Sequence, residues 1–221
     1  MSANLSLGNR LLFLGCHLDD LEFGCGALIS KYANKDNVSI RLETLSDHNE
    51  NAENEIQFVR NRDEATTAMN FLGISLKDYH IDNLPGQRFD SNQQIIRERL
   101  LKIRENFDPD TVFFPAFHDI HQDHATLSKE AFRIFRGVNC FGYEVIRSSY
   151  GFLPQVFVEI TEQELIKKTD AIMSYKTQQK ESAAYYFNEE LVRSIAVFRG
   201  GQCGLPFAEA YENYILRLQN K

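Results

Sequence analysis

Histidine and aspartate residues form two clusters whose composition suits a divalent metal ion. Three of the six histidines lie in the segment HDIHQDH, at His118, His121 and His124. A fourth, His17, opens the run HLDD about 100 residues earlier. Imidazole nitrogens and carboxylate oxygens are the ligands that zinc and similar ions take in catalytic sites. The two clusters therefore predict a metal-dependent centre.

Each cluster directly follows a short apolar segment. The segment Arg10–Gly15 (RLLFLG) precedes HLDD, and Thr111–Pro115 (TVFFP) precedes HDIHQDH. Both have the composition of buried strands. Because ligands in open α/β sheets bind beyond the carboxyl ends of the strands, the two clusters meet if these strands are parallel neighbours. His17, Asp20 and His124 would then form a two-histidine, one-carboxylate set with open positions for water and substrate.

Strand and helix patterns alternate along the chain, which predicts an α/β fold. Strands are expected over residues 10–15, 38–45, 77–84, 111–115, 142–147, 155–160 and 211–218. Helices are expected over residues 21–33, 55–72, 91–106, 125–136 and 162–175, with Ser91 as an N-cap. Strands separated by helices of this length form a mostly parallel sheet flanked by helices, with right-handed crossovers. The stretch 139–159 departs from this alternation and is expected to add antiparallel strands at one edge.

Length and composition indicate a single globular domain. The 221 residues, of which 43% are hydrophobic and 25% charged, fit one well-buried core over residues 1–221. The net charge of −7, without a lysine or arginine stripe, argues against a nucleic-acid partner and favours a small-molecule substrate. No segment approaches the roughly 18 continuous apolar residues of a membrane span, and the N-terminus lacks a basic start before an apolar core. We therefore expect a cytoplasmic protein without a membrane span, and a homo-oligomer stays open.

The cysteines show no spacing typical of a metal or redox motif. All four of them, Cys16, Cys25, Cys140 and Cys203, stand apart from any CxxC pair. Reduced and mostly buried thiols are therefore expected. Cys16 and Cys25 flank HLDD, which keeps open a minor role near the site.

Several segments carry a family resemblance. CHLDDLEFGCGAL resembles the AHPDD-E-x-x-x-G-G signature of the LmbE-like, or PIG-L, deacetylases, and DIHQDHATL resembles the family's D-x-H-P-D-H signature. The segments RDEATTAMNFLGI, SYKTQ and FRGGQCGLPFAEAY resemble other family elements, and all stand in the family's order. The resemblance implies a Rossmann-like sheet and bound Zn²⁺, or another divalent metal such as Fe²⁺. It also implies hydrolysis of N-acetyl groups, most often on compounds that contain N-acetylglucosamine.

The resemblance implies a division of roles in and beside HLDD. His17, Asp20 and His124 would ligate the metal, and Asp19 would be the general base. A metal ion of this kind can lower the pKa of a bound water from about 16 to about 7. Asp19 can then take the proton of the water and pass it to the leaving amine. The alternative role for Asp19 or Asp20 is an ordinary N-cap at the start of a helix.

The second cluster would stabilise the oxyanion. The resemblance makes His121 the stabilising residue and Asp123 its orienting partner. We expect a protonated His121 that faces the developing oxyanion, with Asp123 holding the imidazole charged. His118 is expected to be a bystander or pocket residue. His48 and His80 are expected to be ordinary surface or hydrogen-bonded histidines.

The sequence departs from the family at three places. Leu18 and Gln122 replace prolines, and metal binding should survive because neither position supplies a ligand. The loop over residues 44–50 lacks the family's glycines, so its substrate contacts are not carried over. By the resemblance, Arg62 or Arg60 corresponds to a substrate-binding arginine before Glu64. We assign the role to Arg62, and its alternative is an exposed helix arginine in an i,i+4 pair.

Two rival functions remain open. A metal hydrolase acting on another amide or on a phosphoester would use the same ligands, but phosphate binding needs lysine or arginine around the open site. Few basic residues stand near either cluster. A non-catalytic metal-binding relative would keep the ligands without needing the base Asp19 or the oxyanion donor His121.

Overall fold

The computed structural model describes residues 7–33, 35–47, 55–179 and 185–217, which form one sheet with helices on both faces. The strands are β1 (Arg10–Gly15), β2 (Ser39–Thr44), β3 (Tyr79–Ile81), β4 (Thr111–Pro115), β5 (Asn139–Tyr143), β6 (Val156–Glu159) and β7 (Ala208–Ile215). The helices are α1 (Asp20–Tyr32), α2 (Glu55–Leu72), α3 (Gln93–Phe107), α4 (Gln122–Phe135), α5 (Glu162–Met173) and α6 (Glu189–Cys203). The strand order is β3-β2-β1-β4-β5-β7-β6.

The central strands are parallel, as the alternating pattern predicts. β1 pairs in parallel with β2 on one side and with β4 on the other. β3 and β5 extend the parallel part outward. The carboxyl ends of β1 and β4 therefore lie side by side at one edge of the sheet, and this edge receives both polar clusters.

The far edge is antiparallel, which confirms the expected departure in the second half of the chain. β7 pairs antiparallel with β5 and with β6, so the last strand lies inside this edge. The fold is a mostly parallel α/β sheet with an antiparallel end. The prediction of a single domain over residues 1–221 stays a prediction.

Residues of β1 alternate between two apolar layers. Leu11 and Phe13 join the layer that contains residues of α1, α2, α5 and α6, while Leu12 and Leu14 join the layer with α3 and α4. Side chains on successive strand residues point to opposite faces, and both faces of β1 are covered. Phe13 stacks on Phe113 of β4, with ring centroids 4.8 Å apart. This packing fixes the two strands that carry the site.

A buried carboxylate on the last strand binds the middle of α1 and forms an ion pair with α5. The Glu209 carboxylate of β7 accepts hydrogen bonds from the N–H groups of Ala27 (2.9 Å) and Leu28 (2.8 Å). Lys168 of α5 pairs with Glu209 at 2.7 Å and donates to the carbonyl oxygen of Phe23 at 2.8 Å. Each buried charge therefore has a partner, as burial requires.

The structure corrects several expected element boundaries. The strand expected over 211–218 lies three residues earlier, as β7. The strand expected over 142–147 is wrong beyond Tyr143, because the chain turns there. The Val145 carbonyl accepts a hydrogen bond from the Ser149 N–H, and the Ser149 hydroxyl accepts one from the Val145 N–H. The strand expected over 77–84 shortens to β3 after a 3-10 turn. Ser91 lies within a second 3-10 turn, so α3 begins at Gln93 rather than after Ser91. α4 begins at Gln122, three residues before the predicted start.

Sequence reasoning missed α6 entirely. Asn188 caps the helix by accepting a hydrogen bond from the N–H of Leu191. Val192, Ala196 and Gly200 are its buried residues, at the i, i+4, i+8 spacing of one helix face. None of the helices in the described part of the chain is both long enough and apolar enough to cross a membrane.

Candidate active site

The two clusters meet at the carboxyl edge of the sheet. β1 and β4 pair with Leu11 opposite Thr111 and Phe13 opposite Phe113. The chain then enters α1 through HLDD and α4 through HDIHQDH. The expected encounter of His17 and Asp20 with His124 is therefore present in the structure.

Asp20 lies between the two histidines. Its Oδ2 accepts hydrogen bonds from the N–H groups of Cys16 (2.8 Å) and His17 (2.9 Å), and lies 3.5 Å from His17 Nδ1. Its Oδ1 lies 3.2 Å from His124 Nε2. Burial opposes ionisation, but the charges of His124 and His17 hold the pKa of Asp20 well below its usual value. Asp20 is therefore an ionised carboxylate facing both imidazoles.

His124 has buried ring nitrogens without a hydrogen bond. Nδ1 lies 3.0 Å from Asp119 Oδ2 and Nε2 lies 3.2 Å from Asp20 Oδ1, yet neither contact has hydrogen-bonding angles. The side chain is only 2% exposed, so water does not satisfy these atoms. Each ring nitrogen thus faces a carboxylate oxygen without a well-aligned hydrogen bond, and a histidine held between two carboxylates in this way fits a metal ligand.

The spacing of these donors also fits a divalent ion. Two ligands at about 2.0–2.2 Å from a tetrahedral ion lie about 3.4 Å apart. The 3.2 Å distance between Asp20 Oδ1 and His124 Nε2 is close to that separation, whereas the 3.5 Å contact with His17 Nδ1 is made by the other oxygen, Oδ2. Single donor atoms of Cys16, Asp20 and His124 also lie within 4.8 Å of one another. A second such group is formed by His17, His121 and Asp123, so the three predicted ligands are divided between the two groups.

The cluster stabilises positive charge. Burial would lower the pKa of His17, but Asp20 and Asp123 raise it to about 9. In the same way, Asp20 and Asp119 overcome burial and raise the pKa of His124 to about 10. The same carboxylates would also stabilise a bound divalent cation.

Asp19 is placed as a base rather than as a helix cap. It precedes α1 at the N-cap position, but its side chain makes no capping hydrogen bond. Asp20 also turns away from the helix, toward the N–H groups of Cys16 and His17. Burial and the neighbouring charge of Asp20 raise the pKa of the Asp19 carboxyl to about 6. The pKa of this half-buried carboxyl is therefore close to the pH at which a general base would work near neutrality.

Asp123 contacts the His121 ring through its backbone N–H, while its carboxylate, which was expected to hold that ring, pairs with His17 instead. The Asp123 carboxylate lies 3.0 Å from His17 Nε2 and accepts hydrogen bonds from the N–H groups of Gln87 (2.6 Å) and Phe89 (3.1 Å). It therefore orients His17, because the loop after β3 and the buried His17 ring supply all its partners.

The surroundings of His121 favour the neutral ring over the expected protonated one. Its Nδ1 accepts a hydrogen bond from the Asp123 N–H at 3.2 Å, at the start of α4. Burial, followed by the charges of His124 and His17, lowers the pKa of His121 to about 4. A helix N-terminus also disfavours a cation. The neutral ring carries its proton on Nε2, which leaves that N–H as a donor.

Arg62 is anchored near the same sheet edge. Its Nη2 and Nε lie 2.6 Å and 3.2 Å from Asp47 Oδ2, a carboxylate that is 1% exposed. The residue before Asp47, Ser46, donates its N–H to the Cys16 carbonyl. Arg62 is thus held by a buried carboxylate and not by a helical i,i+4 pair.

The remaining histidines are peripheral. His118 and His80 are both exposed. His48 lies outside the described residues, as do residues 49 and 50 of the glycine-free loop.

Sequence reasoning missed Asp119, although it begins the DIHQDH motif. Asp119 Oδ2 faces His124 Nδ1 and accepts hydrogen bonds from the hydroxyls of Ser148 (2.8 Å) and Ser149 (3.0 Å). Its Oδ1 accepts a hydrogen bond from the His121 N–H at 2.9 Å. A carboxylate on the far side of a histidine fixes the ring for metal binding.

Two further contacts near Asp19 were also missed. The Tyr175 hydroxyl donates to the Leu18 carbonyl and lies 2.6 Å from Glu22 Oε1, which fixes the peptide before Asp19. The exposed Arg147 lies over the Tyr186 ring, 5.4 Å from its centroid. The hydrogen bond to Tyr186, and then the charges of nearby groups including Asp19, raise the pKa of Arg147. No motif marks Arg147.

Fold and site together define an α/β protein with a histidine–carboxylate centre at the sheet edge, of the kind that metal hydrolases use. Residues 12–135, more than half of the chain, match the family model described as PIG-L: GlcNAc-PI de-N-acetylase, and the chain belongs to this family. The uncharacterized deacetylase YaiS of Escherichia coli K12 is 26% identical over 184 residues, covering 80% of this chain and 97% of that protein.

Two solved structures share the fold at low identity. The N,N'-diacetylchitobiose deacetylase of Pyrococcus horikoshii aligns with a TM-score of 0.71 at 18% identity, over 93% of this chain and 83% of that one. GalB, the 4-carboxy-2-hydroxymuconate hydratase of Pseudomonas putida KT2440, aligns with a TM-score of 0.75 at 18% identity. The alignment covers 96% of this chain and 99% of that one. One fold therefore serves two reactions, and the site must decide the function.

Proposed function

We propose that this protein is a divalent-metal-dependent hydrolase that removes an N-acetyl group from an amino-sugar compound of the N-acetylglucosamine type. The proposal rests on Asp19, whose carboxyl has a pKa of about 6 and makes no hydrogen bond that caps α1. It stands beside histidine and aspartate side chains of the kind that bind metals. A site that only bound metal would not need a base of this kind. Membership of the de-N-acetylase family supports the same reaction.

His17, Asp20 and His124 are the proposed metal ligands. Their chemistry suits Zn²⁺, and Fe²⁺ or another first-row ion would also accept it. When bound, such an ion makes a water more acidic and polarises the carbonyl of the amide. Asp119 and Asp123 keep the rings of His124 and His17 in place from the outer side.

Asp19 carries the proposed proton transfers. It takes one proton from the attacking water as the C–O bond forms at the acetyl carbon. The same proton then passes to the amide nitrogen as the C–N bond breaks, so the products are acetate and a free amine. Acid–base catalysis of this kind contributes roughly 10²- to 10⁴-fold.

His121 is the proposed oxyanion donor, acting through the neutral Nε2–H. Because Nδ1 is already occupied by the Asp123 N–H, the tautomer is fixed before substrate binds. A preformed donor needs no reorganisation during the reaction and contributes roughly 2.7 to 4 kcal/mol in other enzymes. Asp123 thus fixes the tautomer of His121 through its backbone N–H and orients the ring of His17 through its carboxylate.

Arg62 is the proposed substrate-binding residue, because its guanidinium is anchored by Asp47 near the carboxyl end of β2. The proposed partner is a small N-acetylated sugar compound, without nucleic acid, and the proposed location is the cytoplasm. A phosphoester substrate would need several basic side chains around the opening. Arg147 is one exposed cation near Asp19, and we give the amide reaction priority.

The test is a substrate panel. Zinc-loaded protein is incubated with N-acetylated monosaccharides, nucleotide sugars and glycosides, and acetate and primary amine are measured. We expect both products in equal amounts from at least one member. No product from any member, together with no stoichiometric metal, overturns the proposal. Release of phosphate without acetate would favour the phosphoester alternative.

A further inference from the structure

We propose that Arg147 binds an anionic substituent of the substrate, a carboxylate or a phosphate that is not the reacting group. The inference rests on the proposed function and names the class of N-acetylated sugar that the site takes. Arg147 lies in the turn after β5 and is exposed. Because β5 runs parallel to β4, this turn stands at the same edge of the sheet as the candidate active site.

Hydrogen bonds fix the turn that carries Arg147 to the second polar cluster. The next residue, Ser148, donates its hydroxyl to Asp119 Oδ2 at 2.8 Å, and the same oxygen lies 3.0 Å from His124 Nδ1. The Ser148 carbonyl accepts a hydrogen bond from the Ile120 N–H at 3.0 Å. The backbone of Arg147 is therefore held beside the segment HDIHQDH.

Aromatic contacts lead from the Arg147 side chain to the start of α1. The guanidinium lies 5.4 Å from the centroid of the Tyr186 ring, and Nη1 donates to the Tyr186 hydroxyl at 3.4 Å. Tyr186 packs on Phe23, with ring centroids 5.7 Å apart. The Phe23 N–H donates to the Asp19 carbonyl at 3.1 Å, and residues four apart share one face of a helix. Arg147 therefore stands on the side of the site where Asp19 lies.

Arg147 is held in place without a carboxylate that neutralises it. Within the described residues, no carboxylate forms an ion pair with its guanidinium, and the buried Tyr186 orients it through an uncharged hydroxyl and a ring face. Several other arginines are instead held by a carboxylate: Arg62 by Asp47, Arg97 by Glu130, Arg193 by Glu162 and Arg199 by Glu144. Arg147 therefore keeps its charge and its N–H donors for a ligand.

The chemistry of the guanidinium selects an anion. Its planar fork of N–H donors matches the oxygens of a carboxylate or a phosphate, and such charge-assisted hydrogen bonds are stronger than neutral ones. The chain has a net charge of −7, so an anionic sugar needs a local positive charge to approach. A reacting phosphoryl group needs several positive groups around it. A single arginine instead suits an anionic group that helps binding while the N-acetyl group reacts.

The test measures binding rather than turnover. Zinc-loaded Asp19→Asn protein is titrated by calorimetry with N-acetylglucosamine, with its 6-phosphate, and with N-acetylmuramic acid, which carries a carboxylate. At least one of the two anionic sugars should bind roughly 10- to 100-fold more tightly than the neutral sugar. The one that does so tells a phosphate substituent from a carboxylate. Added salt should weaken its binding more than that of the neutral sugar.

Variants assign this preference to Arg147. Arg147→Gln, added to the same protein, should reduce the preference for the anionic sugar roughly 10-fold or more. Arg147→Lys keeps the charge without the fork and should retain part of it. Arg193→Gln is the matched control, because it removes an exposed arginine that already pairs with Glu162, and it should keep the preference. Circular dichroism establishes folding. Tyr186→Phe, which removes the hydroxyl acceptor, is the second variant if Arg147→Gln fails to fold, and it should also lower the preference.

The outcomes separate this inference from the proposed activity. Equal affinity for the anionic and neutral sugars, or a preference unchanged in Arg147→Gln, overturns the role of Arg147 and leaves the deacetylase proposal standing. A preference that depends on Arg147, in a protein whose wild-type form releases no acetate from any sugar, supports the anion site and counts against the activity. Failure to bind any of the three sugars overturns the anion site as well.

Discussion

Asp19 and Asp20 are neighbours in the chain with opposite acidities. Asp20 accepts two backbone hydrogen bonds and faces two imidazoles, so its pKa is low, whereas Asp19 has no capping bond and a raised pKa. One environment stabilises the carboxylate and the other penalises it. The proposed roles of ligand and base follow from this contrast.

The contrast predicts different losses on substitution. Asp19→Asn should keep stoichiometric zinc and lose roughly 10²-fold or more in kcat, because the proton acceptor is removed. His17→Ala should lose zinc. Metal content by atomic absorption and acetate release on the same samples make the comparison. Equal loss of zinc in both variants contradicts the assignment of Asp19 as base.

Asp119 should raise the affinity for zinc by holding the ring of His124. Asp119→Asn keeps the shape of the side chain but weakens its hold on His124 Nδ1, so zinc affinity should fall roughly 10- to 100-fold. Competition with a chelator measures this change. Ser149→Ala is the matched control, because it removes a hydrogen bond to the same carboxylate without touching His124. A zinc affinity in Asp119→Asn equal to that of the control would contradict the role.

The residues of the site were predictable to different degrees. HLDD and HDIHQDH predict His17, Asp20 and His124 as ligands, because residues of metal-binding type directly follow two predicted strands. The partners of Asp123 were not predictable, since two of them are backbone N–H groups of Gln87 and Phe89 on a loop after β3. Contacts made by the backbone leave no trace in residue type.

At the scale of elements, the parallel strands were predictable and α6 was not. β1 and β4 are short apolar runs with buried neighbours on both faces. In α6, Gly200 and Gly201 resemble a turn and conceal the spacing of Val192 and Ala196. Glycine weakens a helix signal, and tertiary packing overrides that propensity here.

Replacing each of the two glycines of α6 with alanine should change the free energy of unfolding in opposite directions. A Cβ on Gly200 would lie 2.5 Å from the Leu205 carbonyl oxygen, so Gly200→Ala should destabilise by about 1–3 kcal/mol. A Cβ on Gly201 meets nothing within 4 Å, so Gly201→Ala should stabilise by about 0.5–1 kcal/mol. Urea unfolding measures both. The helix assignment fails if Gly201→Ala destabilises as much as its neighbour.

At the scale of the whole molecule, burial controls the ionisation of thiols and phenols. Burial raises the pKa of the Cys140 thiol to about 12 and that of the Tyr186 phenol to about 12. Unfolded thiols ionise near pH 8.5 and unfolded phenols near pH 10. The neutral forms therefore stabilise the folded chain below those values, and this stability disappears as pH rises toward about 12.

Alkaline unfolding follows from this difference. Tm should fall as pH rises from about 8 to about 11, because the unfolded state releases protons that the folded state retains. Cys140→Ala removes one such group, so its Tm should fall less steeply over that range. Cys203→Ala changes an exposed thiol and should follow the wild-type slope. Parallel slopes for the wild type and Cys140→Ala would contradict the argument.

The hydrogen bonds between β7 and α1 have a consequence for synthesis. Glu209 reaches N–H groups of Ala27 and Leu28 that precede it by 182 and 181 positions. Because the ribosome releases the chain from its N-terminus, the helix that begins at Asp20 emerges long before this carboxylate does. The middle of α1 therefore gains this carboxylate only after 181 further residues have been made. Nascent chains that stop before β7 should contain every proposed ligand and still lack the carboxylate that holds this turn of α1.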